Sequence, residues 1–132
     1  MEKLEHIGIA VKDLEKANDL FSRLLGRQHY KIEEVASEGV VTSFFEVSGV
    51  KIELLAATSQ DSPIFRHIER RGEGIHHLAF EVANLKEAIR KYEEDGFTPV
   101  NPEPSPGADN KLICFLHPRT TNGVLIELCQ EK

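Results

Sequence analysis

Two pairs of segments repeat within this chain, and the repeat is the feature that most limits how the chain can fold. The segments His6–Val11 and His77–Val82 share a leading histidine, a small residue two positions later, and apolar residues at the first, third and fifth positions after the histidine. Likewise, Val50–Leu55 and Val124–Cys129 share the pattern Val-x-Ile-Glu-Leu. Because internal repeats indicate repeated structural units, we expect one module to occur twice.

Each repeat predicts a βαβββ module with an α+β fold. An alternating strand comes first, a helix capped by Asp13 or Asn84 follows, and further strands complete the repeat. The expected positions are a helix ending at Gly26, strands near 30–36, 39–47 and 50–56, a second helix closing at 95–96, and strands at 111–117 and 123–129. Ser62-Pro63 predicts a short helix in the connector. The loop 101–110, rich in proline and glycine, is either a lid over a site or an ordinary connector.

The bulk composition favours a single domain spanning residues 1–132, with module one at about 4–57, a connector at about 58–73 and module two at about 74–130. With 132 residues, 40% of them hydrophobic, the chain can bury a core without disulfides. The net charge of −6 argues against nucleic acid as a partner. Arg66, Arg70 and Arg71 form a basic cluster, which we interpret mainly as solvated surface charge.

Targeting features are absent from the sequence as given. No apolar run has the length of a membrane span, and the residues MEKLEH lack the pattern of a secretory signal. Cys114 and Cys129 both lie in apolar runs and are interpreted as buried, reduced thiols. We therefore expect a cytoplasmic protein that does not bind membranes.

Four side chains form the candidate site: His6, Glu53, His77 and Glu127. Each lies opposite the apolar face of its own strand, on the side not packed against helices. If the two modules curve toward each other, two imidazoles and two carboxylates converge, which suits one divalent cation with two further coordination positions open. His76 points to the other face of its strand and is interpreted as a structural histidine. The small residues Gly8 and Ala79 would leave room for a ligand beside the metal.

These residues resemble the vicinal oxygen chelate (glyoxalase/bleomycin resistance) superfamily. Within it, three runs are similar to the methylmalonyl-CoA epimerases, and the resemblance spans His6 to Leu128: DSPI at 61–64, RRGEGIHHLAF at 70–80 and FLHPRTTNGVLIEL at 115–128. The resemblance implies a curved mixed sheet around a metal-binding cup, with helices on the outer faces. It also implies a homodimer and one divalent metal ion per chain, with Co, Mn, Ni, Mg and Zn not distinguishable from sequence.

The activity implied by the resemblance is metal-dependent epimerisation of methylmalonyl-CoA, an acyl-CoA thioester. The reaction removes the α-proton, passes through an enolate intermediate and returns a proton on the opposite face. We interpret Glu127 as a carboxylate that both binds the metal and transfers a proton. Some epimerases carry a second glutamate where this chain has Thr42, and both Glu46 and Glu81 are expected to lie too far away to replace it. The second group is therefore left open between Glu53, a water ligand of the ion and an unidentified residue.

Two other functions are compatible with the same residues. One is a glyoxalase I-like lyase acting on a thiol hemithioacetal, against which the 115–128 run argues. The other is a metal-free small-molecule binding protein of the same fold, against which the retention of all four candidate ligands argues.

Overall fold

The computed structural model describes all 132 residues, Met1–Lys132, and its elements follow the predicted order. The elements are β1 (Lys3–Ala10), α1 (Leu14–Leu25), β2 (Lys31–Val35), β3 (Val40–Val47), β4 (Val50–Ala57), α2 (Pro63–Arg71), β5 (Gly74–Glu81), α3 (Leu85–Glu94), β6 (Ser105–Pro106), β7 (Lys111–Leu116) and β8 (Ile126–Glu131). This order confirms an α+β fold made of two βαβββ modules, with α2 between them. None of the three helices combines the length and apolar character that crossing a bilayer requires.

The chain divides into two compact units, of which the first comprises residues 6–76 and the second comprises residues 1–5 with 77–132. The strand order is β2-β3-β4-β1 in the first module and β6-β7-β8-β5 in the second. In each module the last strand runs parallel to the first, and the remaining pairs are antiparallel. The two modules therefore share one mixed topology, as the sequence repeat predicts.

Helix α1 covers one face of the first module. It begins after Asp13, whose side chain accepts a hydrogen bond from the Lys16 N–H at 3.0 Å, and it ends at Gly26, which adopts a left-handed φ of 69°. Its apolar stripe packs against a core formed by β3, β4 and the residue after β1: Val11, Phe45, Leu54 and Ala56. Leu20 and Leu24 share the helical periodicity but are 48% and 69% exposed, so the buried stripe is narrower than the sequence pattern.

Helix α3 plays the corresponding role in the second module. Asn84 caps it by accepting a hydrogen bond from the Glu87 N–H at 3.1 Å. Asn84 lies 71 positions after Asp13, the same separation as between His77 and His6. The helix packs on a core drawn from β7, β8, the residue after β5 and the helix itself: Val82, Leu85, Ile89, Cys114, Leu116 and Leu128. The side-chain caps thus repeat with the modules.

The strands differ from the predicted bounds at two places. The last strand, β8, begins at Ile126 and not at Gly123, because a single 3-10 turn at Pro118–Thr120 is followed by left-handed backbone at Asn122 and Gly123. The loop 101–110 contains the two-residue strand β6, which pairs antiparallel with β7. This loop is therefore partly built into the sheet of its module.

Candidate functional site

The first unit brings His6 and Glu53 together. His6 lies on β1 and Glu53 on β4, two strands that run parallel, and the His6 Nδ1 atom is 3.1 Å from the Glu53 Oε2 atom. Both side chains are buried. Water does not reach these two buried groups, so neither can hydrogen-bond to solvent. At this distance the histidine and the carboxylate stabilise each other instead.

The second unit repeats this arrangement with His77 and Glu127. The His77 Nε2 atom of β5 is 3.2 Å from the Glu127 Oε1 atom of β8, and both side chains are buried. As in the first unit, the histidine lies on the first strand of the module and the glutamate on the last, parallel strand. The structure therefore pairs the four predicted site residues as two histidine–glutamate pairs on corresponding strands, with the histidine Nδ1 atom facing the glutamate in the first pair and the Nε2 atom in the second.

The strand register places a small residue on one side of each glutamate and a phenylalanine on the other. Gly8 is paired with Glu53 across β1 and β4, and Phe44 is paired with it across β3 and β4. In the second module Ala79 and Phe115 occupy the same two positions around Glu127.

The two small residues were anticipated from the sequence, whereas the two phenylalanines were missed. Phe44 and Phe115 are 71 positions apart, which is the histidine spacing, so the repeat carried a signal for them. Which residues face each other on neighbouring strands depends on the strand register. The sequence repeat does not show that register until both partner strands are identified.

Glu127 lies in an apolar environment. Ala79, Ile113, Phe115 and Cys129 form an apolar cluster on its face of the sheet, and the Phe115 ring meets the His77 ring edge-on at 5.6 Å between centroids. Burial, followed by the negative charges of Glu127 and Glu5, raises the pKa of the Cys129 thiol to about 12. In an environment that excludes water, the charge on Glu127 acts on nearby groups with little screening.

The first module carries a polar group where the second carries an apolar one. Thr42 and Ile113 occupy equivalent positions, each two residues before the phenylalanine that flanks a site glutamate. Thr42 is fully buried, and its Oγ1 atom has no hydrogen-bond partner within the chain. Glu46 is exposed and Glu81 is half-buried. An unsatisfied buried hydroxyl is uncommon and marks a position that a ligand or water can complete.

His76 lies apart from the two pairs. Its ring is 4.7 Å from the ring of His67 in α2, in an edge-on arrangement, and it helps line a cavity on the α2 side. This location agrees with the opposite facing of His76 and His77 that the strand periodicity predicts.

The candidate metal ligands are His6, Glu53, His77 and Glu127. Imidazole nitrogens and carboxylate oxygens are the donors that several divalent ions accept, and each donor here is buried beside a partner of the other type. The donor chemistry therefore suits a divalent cation.

Comparison with known proteins gives the class to which this fold and these residues belong. The profile of the Glyoxalase/Bleomycin resistance protein/Dioxygenase superfamily matches residues 5–115. The chain belongs to this superfamily.

Three similar proteins narrow the relationship. The chain is 37% identical over 132 residues to the uncharacterized protein YqjC of Bacillus subtilis (strain 168), covering 100% of this chain and 94% of that protein. It is 36% identical over 130 residues to the ethylmalonyl-CoA/methylmalonyl-CoA epimerase of Cereibacter sphaeroides, covering 97% of each. The crystal structure of methylmalonyl-CoA epimerase from Mycobacterium tuberculosis superposes with a TM-score of 0.92 at 33% identity, covering 98% of this chain and 87% of that one. Within the superfamily, this chain is therefore a homologue of the methylmalonyl-CoA epimerases.

Proposed function

We propose that the protein epimerises methylmalonyl-CoA by α-proton transfer, with a divalent metal ion bound by His6, Glu53, His77 and Glu127. The observation that carries the proposal is the repeated histidine–glutamate pair, buried in both units at 3.1 and 3.2 Å. The similarity to epimerases over nearly the whole chain supports the substrate class.

The metal is proposed from the donor set of the four residues. If the two pairs converge, two imidazoles and two carboxylates hold one ion per chain, and Co, Mn, Ni, Mg and Zn all accept such donors. When bound, the ion would polarise the thioester oxygen and stabilise the negative charge of the enolate.

Glu127 is the proposed proton-transfer residue. Its apolar neighbours Ala79, Ile113 and Phe115 keep water away, which favours a carboxylate that accepts a proton from carbon. Removal of the α-proton breaks the C–H bond and leaves its electron pair in the enolate. A proton delivered to the other face then completes the inversion.

The second proton-transfer group is proposed to be Glu53, because the module repeat makes it the counterpart of Glu127. Thr42 has no carboxylate to offer. Its buried hydroxyl lies diagonal to Glu53 across β3 and β4, since Thr42 pairs with Leu55 and Phe44 pairs with Glu53. We assign Thr42 the role of hydrogen-bonding the substrate or a water beside Glu53.

Deuterium exchange tests the proposal directly. With one epimer of methylmalonyl-CoA in deuterated water and a divalent metal, the purified protein should produce the other epimer with deuterium at the α-carbon. Glu127→Gln should lower kcat by about 10²–10⁴-fold, as loss of a general base does. Glu46→Gln is the matched control, because Glu46 is an exposed strand glutamate outside the two pairs. An α-proton retained after inversion would overturn the mechanism, and turnover of methylglyoxal with glutathione in place of methylmalonyl-CoA would favour the lyase.

A homodimer in the cytoplasm completes the proposal. Both cysteines are free and buried thiols, which suits a reducing compartment. Light scattering during gel filtration should give twice the chain mass of 14.9 kDa, and a monomer at micromolar concentration would count against the dimer. Cell fractionation tests the compartment.

A further inference from the structure

The α2 side of the first unit contains a small cavity whose charged lining is entirely basic. We call it the basic cavity. It has a volume of about 270 Å³ and is lined by Pro63, Arg66, His67, Arg70, Arg71 and His76. In a chain with a net charge of −6, three guanidinium groups around one cavity are a local reversal of charge.

Helix geometry gathers these side chains on neighbouring rows. Arg66 and Arg70 are four residues apart, as are His67 and Arg71, so the members of each pair are adjacent on the surface of α2. The positive charges of Arg66 and Arg70 repel each other at this spacing, and a bound anion would relieve that repulsion. Burial and the Arg71 charge lower the pKa of His67, as expected beside a positive group.

The acidic residues of the same segment are directed elsewhere. Glu69 lines a different cavity together with Lys12 and Val11. The Glu73 carboxylate accepts a hydrogen bond from the Lys12 N–H at 2.8 Å. Neither carboxylate lines the basic cavity.

The favourable position of basic residues at a helix C-terminus explains only part of the cluster. It accounts for Arg70 and Arg71, which lie in the last turn of α2. It does not account for Arg66, which lies near the start of the helix and donates a hydrogen bond to the Asp61 carbonyl oxygen at 3.0 Å, or for His76 on β5. One N–H group of the Arg66 guanidinium makes this hydrogen bond, and its other N–H groups can bind a ligand.

We propose that the basic cavity binds the phosphate groups of the CoA nucleotide, an inference that rests on the acyl-CoA substrate proposed above. Arginine forks match phosphate oxygens in charge and geometry. Small-molecule pockets usually have volumes of about 300–1,000 Å³, so this cavity suits a phosphate or diphosphate and not a whole nucleotide. The pantetheine arm separates the nucleotide from the thioester, so the phosphates need not bind beside the histidine–glutamate pairs.

The binding test uses adenosine 3′,5′-bisphosphate, which needs no turnover. Calorimetric titration should show saturable binding to the wild type and at least about tenfold weaker binding to the Arg70→Ala/Arg71→Ala double variant, since charge-assisted hydrogen bonds are lost. Arg23→Ala is the control, because Arg23 is an exposed arginine of α1 paired with Asp19. Equal affinity in wild type and double variant, or no binding to the wild type, would overturn the proposal.

The kinetic test separates the nucleotide of the substrate from a free phosphate ligand. The double variant should raise the KM for methylmalonyl-CoA about tenfold with kcat unchanged, while the KM for methylmalonyl-pantetheine, which lacks the nucleotide, stays at the wild-type value. Weaker bisphosphate binding with an unchanged KM for methylmalonyl-CoA would reject the substrate as the source. If the wild type turns over neither thioester, the proposed function fails, whereas the titration still decides whether the cavity binds phosphate.

Discussion

The hydroxyl group of Thr42 has no hydrogen-bond partner, and this leads to a prediction in which stability and activity change in opposite directions. Thr42→Val keeps the shape of the side chain and removes the unsatisfied hydroxyl, so the free energy of unfolding should stay level or rise by about 1 kcal/mol. Turnover of methylmalonyl-CoA should fall about tenfold, because the proposed hydrogen bond beside Glu53 is lost. Urea unfolding and steady-state kinetics measure the two effects.

The neighbouring Ser43 is the control for Thr42. It is also fully buried, but its hydroxyl donates a hydrogen bond to the Asn18 side-chain oxygen. Ser43→Ala should therefore lower the free energy of unfolding by about 1 kcal/mol. Similar destabilisation by both variants would show that the Thr42 hydroxyl is satisfied.

The two cysteines predict how stability depends on alkaline pH. Burial raises the pKa of Cys114 to about 11, and that of Cys129 to about 12, from the ordinary thiol value of 9.0. Above pH 9 the unfolded chain loses these protons while the folded chain keeps them, so the free energy of unfolding falls as pH rises toward 11 and 12. The limiting slope is about 1.4 kcal/mol per pH unit for each thiol.

Urea unfolding at pH 8 and pH 10 measures this slope against Cys114→Ala/Cys129→Ala. The wild type should lose more stability between the two pH values than the double variant, by about 1 kcal/mol or more. An equal loss in both proteins would mean that other groups cause the alkaline effect.

At the level of elements, the caps of α1 and α3 are equivalent and should contribute equally. Asp13→Ala and Asn84→Ala each remove the acceptor for an N–H in the first helical turn, so each should lower the free energy of unfolding by about 1 kcal/mol. Asp13→Ser and Asn84→Ser retain an acceptor and should remain close to the wild type. Chemical denaturation compares the four variants, and similar results for Ala and Ser at one site would mean that its cap does not stabilise the helix.

Some of these elements were predictable from the sequence, and others were not. The helix starts at Leu14 and Leu85 were predictable because a cap is a local signal, and the repeat placed the histidines and glutamates on equivalent strands. The start of β8 was not predictable from the sequence, because Val124 and Leu125 continue the apolar run. In the structure, the turn at Asn122 and Gly123 delays strand pairing until Ile126. Phe44 and Phe115 became visible as neighbours of the glutamates only through the register of the paired strands.

At the scale of the whole molecule, the metal proposal predicts a stoichiometry. If His6, Glu53, His77 and Glu127 hold one ion, the protein should bind one divalent ion per chain, and His6→Gln or His77→Gln should each abolish all tight binding. Two separate histidine–glutamate sites would instead lose half of the bound metal in each variant. Equilibrium dialysis with elemental analysis distinguishes the two results, with Glu46→Gln as a control that should still bind one ion.

Bound metal should also stabilise the fold as a whole. At a free-ion concentration 100 times Kd, binding to the native state alone adds about 2.7 kcal/mol to the free energy of unfolding. The midpoint of thermal unfolding should then rise by several degrees in the wild type and remain unchanged in His77→Gln. An equal rise in both proteins would indicate that the metal binds elsewhere.

The grouping of residues 1–5 with residues 77–132 has a consequence for how the protein is made. The Glu2 N–H donates to the Glu81 carbonyl oxygen at 2.8 Å, so Glu2 is hydrogen-bonded to a segment translated much later. At about 5–20 residues per second, a ribosome needs about 4–16 s to travel from Glu2 to Glu81. During that interval Glu2 lacks its native hydrogen-bond partner, and residues 1–5 can join their compact unit only after the second module has been made.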